Sequence, residues 1–153
     1  MVEPPVPQDP QFADRVRASF ARQEVMRTLG ATLTRVEPGL VEIALPFRND
    51  LTQQHGFLHA GVITTIVDSA CGYAALSLMP AQTGVLSIEY KVNFLAPARG
   101  SRFIARGRVL RAGKTITVCM GDVMAVQDDG QEVVIATMLA TMLVVRDRPG
   151  VLD

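Results

Sequence analysis

HAGVITTIVDSACGYAALSL, residues 59–78, is the stretch that decides the fold. Nearly every residue in it is apolar or small, and its length corresponds to about five turns of α-helix. The pattern lacks the broad polar face of a surface helix, so the helix is predicted to be apolar on all sides and buried. A bilayer could also enclose such a segment, but Asp68 lies in its middle, where an aspartate costs about 3 kcal/mol. We therefore expect a helix surrounded by protein, not by membrane.

The flanking segments predict one shorter helical region and six strands. Residues 11–29 are helix-like, because Phe12, Val16 and Phe20 recur at every fourth position. A shift of this apolar pattern near residue 25 leaves a kink or two short helices open, and Gly30 is the predicted stop. The strands are predicted at residues 31–36, 40–47, 85–95, 102–111, 115–126 and 132–145, separated by turn sequences such as Asp128-Asp129-Gly130.

Alternation within these strands predicts which side chains face inward. In residues 40–47 the apolar set is Val41, Ile43 and Leu45. In residues 85–95 strict alternation places Ser87 on the face opposite Tyr90. The first of these faces consists of Ile88, Tyr90, Val92 and Phe94, and the second of Ser87, Glu89, Lys91 and Asn93.

The order of elements predicts an α+β domain in which a curved antiparallel sheet surrounds the long helix. The remaining sheet edge or face would be closed by a second copy of the chain. We assign residues 1–9 to a flexible N-terminal tail, 10–148 to one domain and 149–153 to a C-terminal tail.

Composition excludes several classes of function. The 153 residues carry 15 acidic and 15 basic side chains without a basic run, so no nucleic acid is expected as a partner. The start, MVEPPVPQDP, is not a signal peptide, and a cytoplasmic location follows by default. Cys71 and Cys119 are predicted as buried thiols. His55 and His59 lack a third ligand, so neither a metal nor another cofactor is expected.

Asp68 is the first candidate for chemistry. A carboxylate in an apolar helix is costly to bury unless it is paired or working, which favours an acid–base or nucleophilic role. The alternative is a structural aspartate that bonds a neighbour such as Ser69 or Thr65. The start of the helix is the second candidate, because the free N–H groups near Ala60 and Gly61 could bind an oxyanion.

His59 could cap this helix or point into the site. Asp68 follows it by nine residues, which is about 13–14 Å along a helix axis. One chain therefore cannot bring the acid to the helix start. If both serve one site, two chains must supply them, as in a C2 homodimer with two equivalent sites.

The segments HGFLHAGVITTIVDSACGYAA (55–75) and YKVNFLAPA (90–98) resemble the hotdog-fold thioesterases, particularly the phenylacetate-pathway and 4-hydroxybenzoyl-CoA thioesterase-like groups. The resemblance covers roughly residues 30–145. It implies a hotdog fold and an acyl-CoA thioesterase, with coenzyme A present only as part of the substrate.

The resemblance also implies roles for individual residues. Asp68 matches the general base or nucleophile, and Gln53 matches the residue that orients the water or contacts the thioester. His59 precedes the N–H that polarises the carbonyl, and here that N–H belongs to Ala60 where the family usually has glycine. Ser87 matches a serine or threonine that assists the water in some members, although a plain strand hydroxyl is the alternative.

The acyl group is left open between aryl and medium-to-long aliphatic chains, with Gly61, Ile66 and Tyr73 as predicted substrate contacts. A dimer of dimers is also left open. One alternative function is a non-catalytic acyl-CoA-binding module, against which Asp68 and Gln53 argue. The other is a hydroxyacyl-thioester dehydratase, which would use His59 with an acid.

Overall fold

The computed structural model describes residues 5–153, and it contains three α-helices and six strands within that range. The helices are α1 (Phe12–Arg22), α2 (Glu24–Leu29) and α3 (Ala60–Leu76), and a short 3-10 turn spans Asn49–Leu51. The strands are β1 (Thr32–Glu37), β2 (Leu40–Pro46), β3 (Gly84–Phe94), β4 (Arg102–Ala112), β5 (Ile116–Val126) and β6 (Glu132–Val145). No helix among residues 5–153 is both long and apolar enough to cross a bilayer.

The six strands form one antiparallel sheet in the order β1-β2-β4-β5-β6-β3. Helix α3 packs against β2, β3, β4, β5 and β6. Val41, Ile43 and Leu45 are fully buried beneath the helix, as their alternation predicts. The predicted α+β architecture, a sheet wrapped around a long helix, is confirmed.

Two facing glycines let α3 approach the sheet closely. Gly107 of β4 is paired with Gly121 of β5 in the middle of the sheet. A Cβ atom on Gly107 would lie 2.3 Å from the backbone carbon of Ala70, and one on Gly121 would lie 2.5 Å from a methyl of Val67. These two positions therefore fix the depth at which α3 packs.

The N-terminal helical region is divided, which was one of the two possibilities left open. Helix α1 ends at Arg22, Gln23 has an extended conformation, and α2 then runs to Leu29. Gly30 ends α2 in the left-handed conformation, with φ 73°, and confirms the predicted stop.

Arg15 of α1 binds the C-terminal end of α3. Its guanidinium donates to the carbonyls of Leu76 (2.8 Å), Met79 (3.0 Å) and Pro80 (2.7 Å), and it pairs with Asp9 at 3.2 Å. The carbonyl end of a helix carries a partial negative charge, so the Arg15 guanidinium is a favourable donor at this end of α3.

Two segments predicted as tails are packed. Asp9 is buried and Gln8 donates to the carbonyl of Leu78 at 3.1 Å, so the prediction of a flexible tail is wrong for these residues. Residues 1–4 of that tail lie outside the described part of the chain. In the predicted tail 149–153, the carbonyl of Val151 packs so closely on Gly84 that a Cβ there would lie 2.4 Å away.

The two edges of the sheet differ in character. Strand β1 is short and carries Thr34, Arg35 and Glu37, of which the last two form an ion pair. Strand β3 has 11 residues and exposes large apolar side chains: Leu86, Ile88, Tyr90 and Phe94. A long apolar edge is a template for pairing, whereas a short charged one discourages it.

Candidate active site

Asp68 lies on a narrow polar stripe of α3 that the sequence pattern did not reveal. Thr64, Thr65, Asp68 and Ser69 are all half-buried and face away from the core, so the expectation of a helix apolar on all sides is wrong. The two threonine hydroxyls donate to the carbonyls four residues earlier, at 2.9 and 2.8 Å. Both hydroxyls are thus hydrogen-bonded within the helix itself, which explains why the stripe resembles an apolar run in the sequence.

Ser87 of β3 holds the Asp68 carboxylate. Its hydroxyl donates to Oδ1 of Asp68 at 2.7 Å. Neither of the neighbours considered as structural partners bonds it, because Thr65 bonds its own helix and Ser69 donates to Gln23 at 3.1 Å. Asp68 is thus oriented by a strand residue 19 positions away.

A β-bulge places Ser87 on the inner face. The register shifts between Ser87 and Glu89, so that Ser87 lies opposite Met142 while Tyr90 lies opposite Ala140. Both partners are buried in the core. Strict alternation predicted Ser87 on the face opposite Tyr90, and this is wrong because Ile88 is an extra residue that reverses the alternation. Bulges often re-aim a side chain in this way.

Burial raises the pKa of Asp68, and the hydrogen bond from Ser87 lowers it in part. The carboxylate borders two spaces. One is an open groove of about 450 Å³ with Gly61, Tyr90 and Val92 in its walls. The other is a smaller, half-enclosed polar cavity of about 130 Å³ that also contains Ser87.

His59 caps α3. Its Nδ1 accepts from the N–H of Gly61 at 2.8 Å, so His59 caps the helix, as one of its two predicted roles requires. This bond uses one free N–H of the first turn and leaves another, because the Ala60 N–H has no acceptor within residues 5–153.

Gln53 lies beside the start of α3. Its side-chain carbonyl accepts from the N–H of His55, and its backbone N–H donates to Phe57 at 2.9 Å, so the loop is tightly folded. Gln53 and Ala60 line the same pocket, of about 440 Å³, together with apolar residues that follow β3. The amide nitrogen of Gln53 makes no bond to a described residue and is available there.

Two of the three predicted substrate contacts, Gly61 and Tyr73, line a pocket, whereas Ile66 does not. Gly61 lines the groove and Tyr73 lines the smaller cavity. Ile66 is fully buried between α3 and the sheet, and none of the pockets described above includes it. The prediction of Ile66 as a substrate contact is not supported, since its turn of the helix faces the core.

The predicted residues thus fall into two separate groups within one chain. Asp68 borders both the groove and the small cavity, Ser87 borders the small cavity, and Gln53 and Ala60 border another pocket. Eight residues of helix, about 12 Å, separate Ala60 from Asp68. The residues 5–153 contain no cluster of three or more His, Cys, Asp or Glu side chains that could hold a metal ion.

A carboxylate oriented by a hydroxyl and a free N–H at a helix start are the parts of an acyl-transfer site. The family model described as the thioesterase superfamily matches residues 55–133, the region that contains both. The chain belongs to the thioesterase superfamily. The matched residues include Ala60, Asp68 and Ser87, whereas Gln53 lies just before them.

Solved structures and sequence relatives agree with this thioesterase assignment. A thioesterase family protein from Silicibacter pomeroyi is 52% identical, with a TM-score of 0.86 over 88% of this chain and 98% of that one. The PaaI protein from the phenylacetic acid degradation operon of Escherichia coli has 17% identity and a TM-score of 0.78 over 94% and 97% of the chains. The medium/long-chain acyl-CoA thioesterase YigI of Escherichia coli is 27% identical over 77% of this chain and 83% of that protein.

The hotdog fold and the prediction of a thioester hydrolase are confirmed by these likenesses. The small cavity of this thioesterase also contains residues that the sequence did not single out, among them Ser19, Gln23 and Asp153. They come from both ends of the chain. No local pattern links them to Asp68, so only the three-dimensional structure brings them to the site.

Proposed function

We propose that this thioesterase hydrolyses acyl-CoA at composite sites of a homodimer. Asp68 and Ser87 of one protomer would act on a thioester whose carbonyl is bound by the Ala60 N–H of its partner. One observation carries the proposal. Asp68 is oriented by Ser87 beside an open groove, while the free Ala60 N–H faces a different pocket of the same chain.

The exposed edge of β3 supports the dimer. Its apolar side chains have no cover within the described chain, and the half-exposed stripe of α3 lies next to it across the groove. Pairing of two β3 edges about a twofold axis would bring two α3 helices side by side and antiparallel. Each Asp68 would then lie near the start of the other helix.

The chemistry needs few parts. The thioester carbonyl accepts from the Ala60 N–H, which stabilises the oxyanion of the tetrahedral intermediate. Asp68 either takes a proton from the attacking water or attacks the carbonyl itself to give an anhydride that water cleaves. The coenzyme A thiolate leaves in both routes and then takes up a proton. Both routes require an ionised Asp68, and single turnover in ¹⁸O-labelled water separates them.

Replacement of Asp68 tests the role of the acid. Asp68→Asn keeps the size of the side chain and an oxygen for Ser87, but it removes the base. We expect kcat to fall by about 10²- to 10⁴-fold while dimer mass and acyl-CoA binding persist. The assay is release of free thiol from acyl-CoAs of varied chain length and aromaticity. Wild-type activity in this variant would contradict the mechanism, and no turnover of any thioester would favour the binding-module alternative.

Subunit mixing tests the composite site. Gln53→Ala chains keep Asp68, and Asp68→Asn chains keep Gln53, so a mixed dimer should regain one of its two sites. Gln54→Ala is the matched control, because Gln54 is exposed one position away. Each mixed dimer should show about half the wild-type rate because one of its two sites is intact, and a random 1:1 mixture of chains should show about a quarter. Verified mixed dimers that stay inactive would show that the two groups do not share a site.

A further inference from the structure

One wall of the small, half-enclosed cavity beside Asp68 comes from a segment of the chain far from the motif. Its volume is about 130 Å³, and Asp153 forms part of its wall together with Ser19 and Tyr73. Asp68 and Ser87, the reacting residues of the proposed function, line the same cavity. An acyl group whose thioester carbon lies at Asp68 therefore has this cavity as adjoining space.

Asp153 is held firmly in that wall. Its Oδ2 accepts from the N–H of Val85 at 3.2 Å, and its own N–H donates to the carbonyl of Thr83 at 3.3 Å. Its Oδ1 accepts from Ser19 at 2.5 Å and lies 3.6 Å from Arg22. The residue is thus tied both to α1 and to the start of the strand that carries Ser87.

Because of the directions of its hydrogen bonds, the wall that contains Asp153 offers a ligand mainly hydrogen-bond acceptors. A carboxylate only accepts, so the single proton of Ser19 is directed to Asp153. Ser19 must then accept from the hydroxyl of Tyr73, whose oxygen is 3.3 Å away. Burial raises the pKa of Tyr73, so its proton stays in place. A ligand can therefore donate to the remaining oxygen lone pairs of Asp153, Ser19 and Tyr73. Among the described residues, the amide nitrogen of Gln23 is the one hydrogen-bond donor left in this wall.

The size of the cavity sets a further limit. A protein cavity of about 150 Å³ holds one benzene molecule, so a cavity of 130 Å³ has room for about one ring. A long aliphatic chain would exceed it and would leave the polar wall without partners.

We propose that Asp153 is a specificity-determining residue that bounds the acyl pocket and selects ring-sized acyl groups bearing a hydrogen-bond donor. Long aliphatic and anionic acyl groups are disfavoured, because the pocket ends at a carboxylate. This inference rests on the proposed function, since it assumes that the acyl group lies next to Asp68.

The test compares thioesters that differ in one feature. The probes are 4-hydroxybenzoyl-CoA, benzoyl-CoA, 4-carboxybenzoyl-CoA and decanoyl-CoA, and the readout is kcat/KM from free-thiol release. Wild type should favour the hydroxylated ring over benzoyl-CoA by about 10-fold or more, as expected for a hydrogen bond to a charged group. It should disfavour the carboxylated ring and the decanoyl chain.

The variants are Asp153→Ala, Asp153→Asn and the control Asp128→Ala, which removes the same charge from an exposed turn. Asp153→Ala should lower the preference for the hydroxyl to near unity and raise the relative rate on decanoyl-CoA. Asp153→Asn keeps the size of the wall and should raise the rate on 4-carboxybenzoyl-CoA. Asp128→Ala should keep the wild-type ratios. Circular dichroism establishes that each variant is folded. If the alanine variant unfolds, the Asp153→Asn variant alone provides the test.

The outcomes separate the two proposals. Hydrolysis by wild type with substrate ratios that Asp153→Asn leaves unchanged would overturn the role of Asp153 and leave the thioesterase mechanism intact. A wild-type preference for decanoyl-CoA would overturn it as well. Failure of wild type to hydrolyse any thioester would overturn the proposed function, and this inference with it.

Discussion

Gly107→Ala tests how the sheet positions α3, the helix that carries Asp68. The added Cβ would lie 2.3 Å from the carbonyl carbon of Ala70, 2.4 Å from its oxygen and 2.5 Å from the nitrogen of Cys71. Carbon atoms pack at about 3.5–4.0 Å, so α3 would have to retreat by roughly 1 Å. The obstacle is helix backbone, which no rotamer change can remove.

The expected loss of stability follows from that clash. Overpacking costs about 3 kcal/mol at the upper end of its usual range, and replacing glycine regains about 0.5–1 kcal/mol by restricting the unfolded chain. The net loss of about 2 kcal/mol corresponds to a Tm lower by about 4–8 °C in a domain of this size. Thermal unfolding followed by circular dichroism measures it.

Activity should fall as well, because Asp68 lies on the displaced part of α3. A retreat of about 1 Å lengthens the 2.7 Å hydrogen bond from Ser87, and misplacement of that size can cost about 100-fold in rate. Gly72→Ala is the matched control for stability alone, because Gly72 lines the small cavity: a Cβ there meets nothing within 4 Å, so it should stabilise α3 by about 1 kcal/mol. A Gly107→Ala protein with wild-type Tm and kcat would refute the reasoning.

Three other predictions concern single groups. Ser87→Ala removes the hydrogen bond that lowers the pKa of Asp68, so the acid limb of the pH profile of kcat/KM should move to higher pH, and an unmoved limb would contradict this role. Burial raises the pKa of Cys119 to about 12 and that of Cys71 well above its usual value. Thiol reagents should therefore label neither cysteine at pH 7–8 until the protein is unfolded, as mass spectrometry would report. Arg15→Gln leaves a buried carboxylate partner unpaired and should cost about 3–5 kcal/mol in urea unfolding, whereas a loss below 1 kcal/mol would argue against its helix-capping role.

The order of helices and strands could be predicted from the sequence, because each element carries its own periodicity. The observed α3 begins and ends within two residues of the prediction, and β6 has the predicted bounds. Asp68 and the start of α3 also stand out, since a charge in an apolar run and small residues at a helix start are local signals.

The details that complete the site could not be predicted, because they depend on contacts between distant residues. The bulge at Ile88 turns Ser87 inward, yet its sequence alternates as in a regular strand. Thr64 and Thr65 resemble apolar residues because their hydroxyls bond their own helix. Asp153 reaches the cavity through bonds to Ser19 and Val85 that no spacing reveals.

Strand β3 joins two tasks in one backbone, since it carries Ser87 and also forms the long apolar edge of the sheet. In the proposed dimer, a protomer released by dilution would lose its partner's Ala60 and expose the strand that orients Asp68. Specific activity would therefore depend on enzyme concentration. The abundance of the protein in the cell would then set the catalytic rate of each chain.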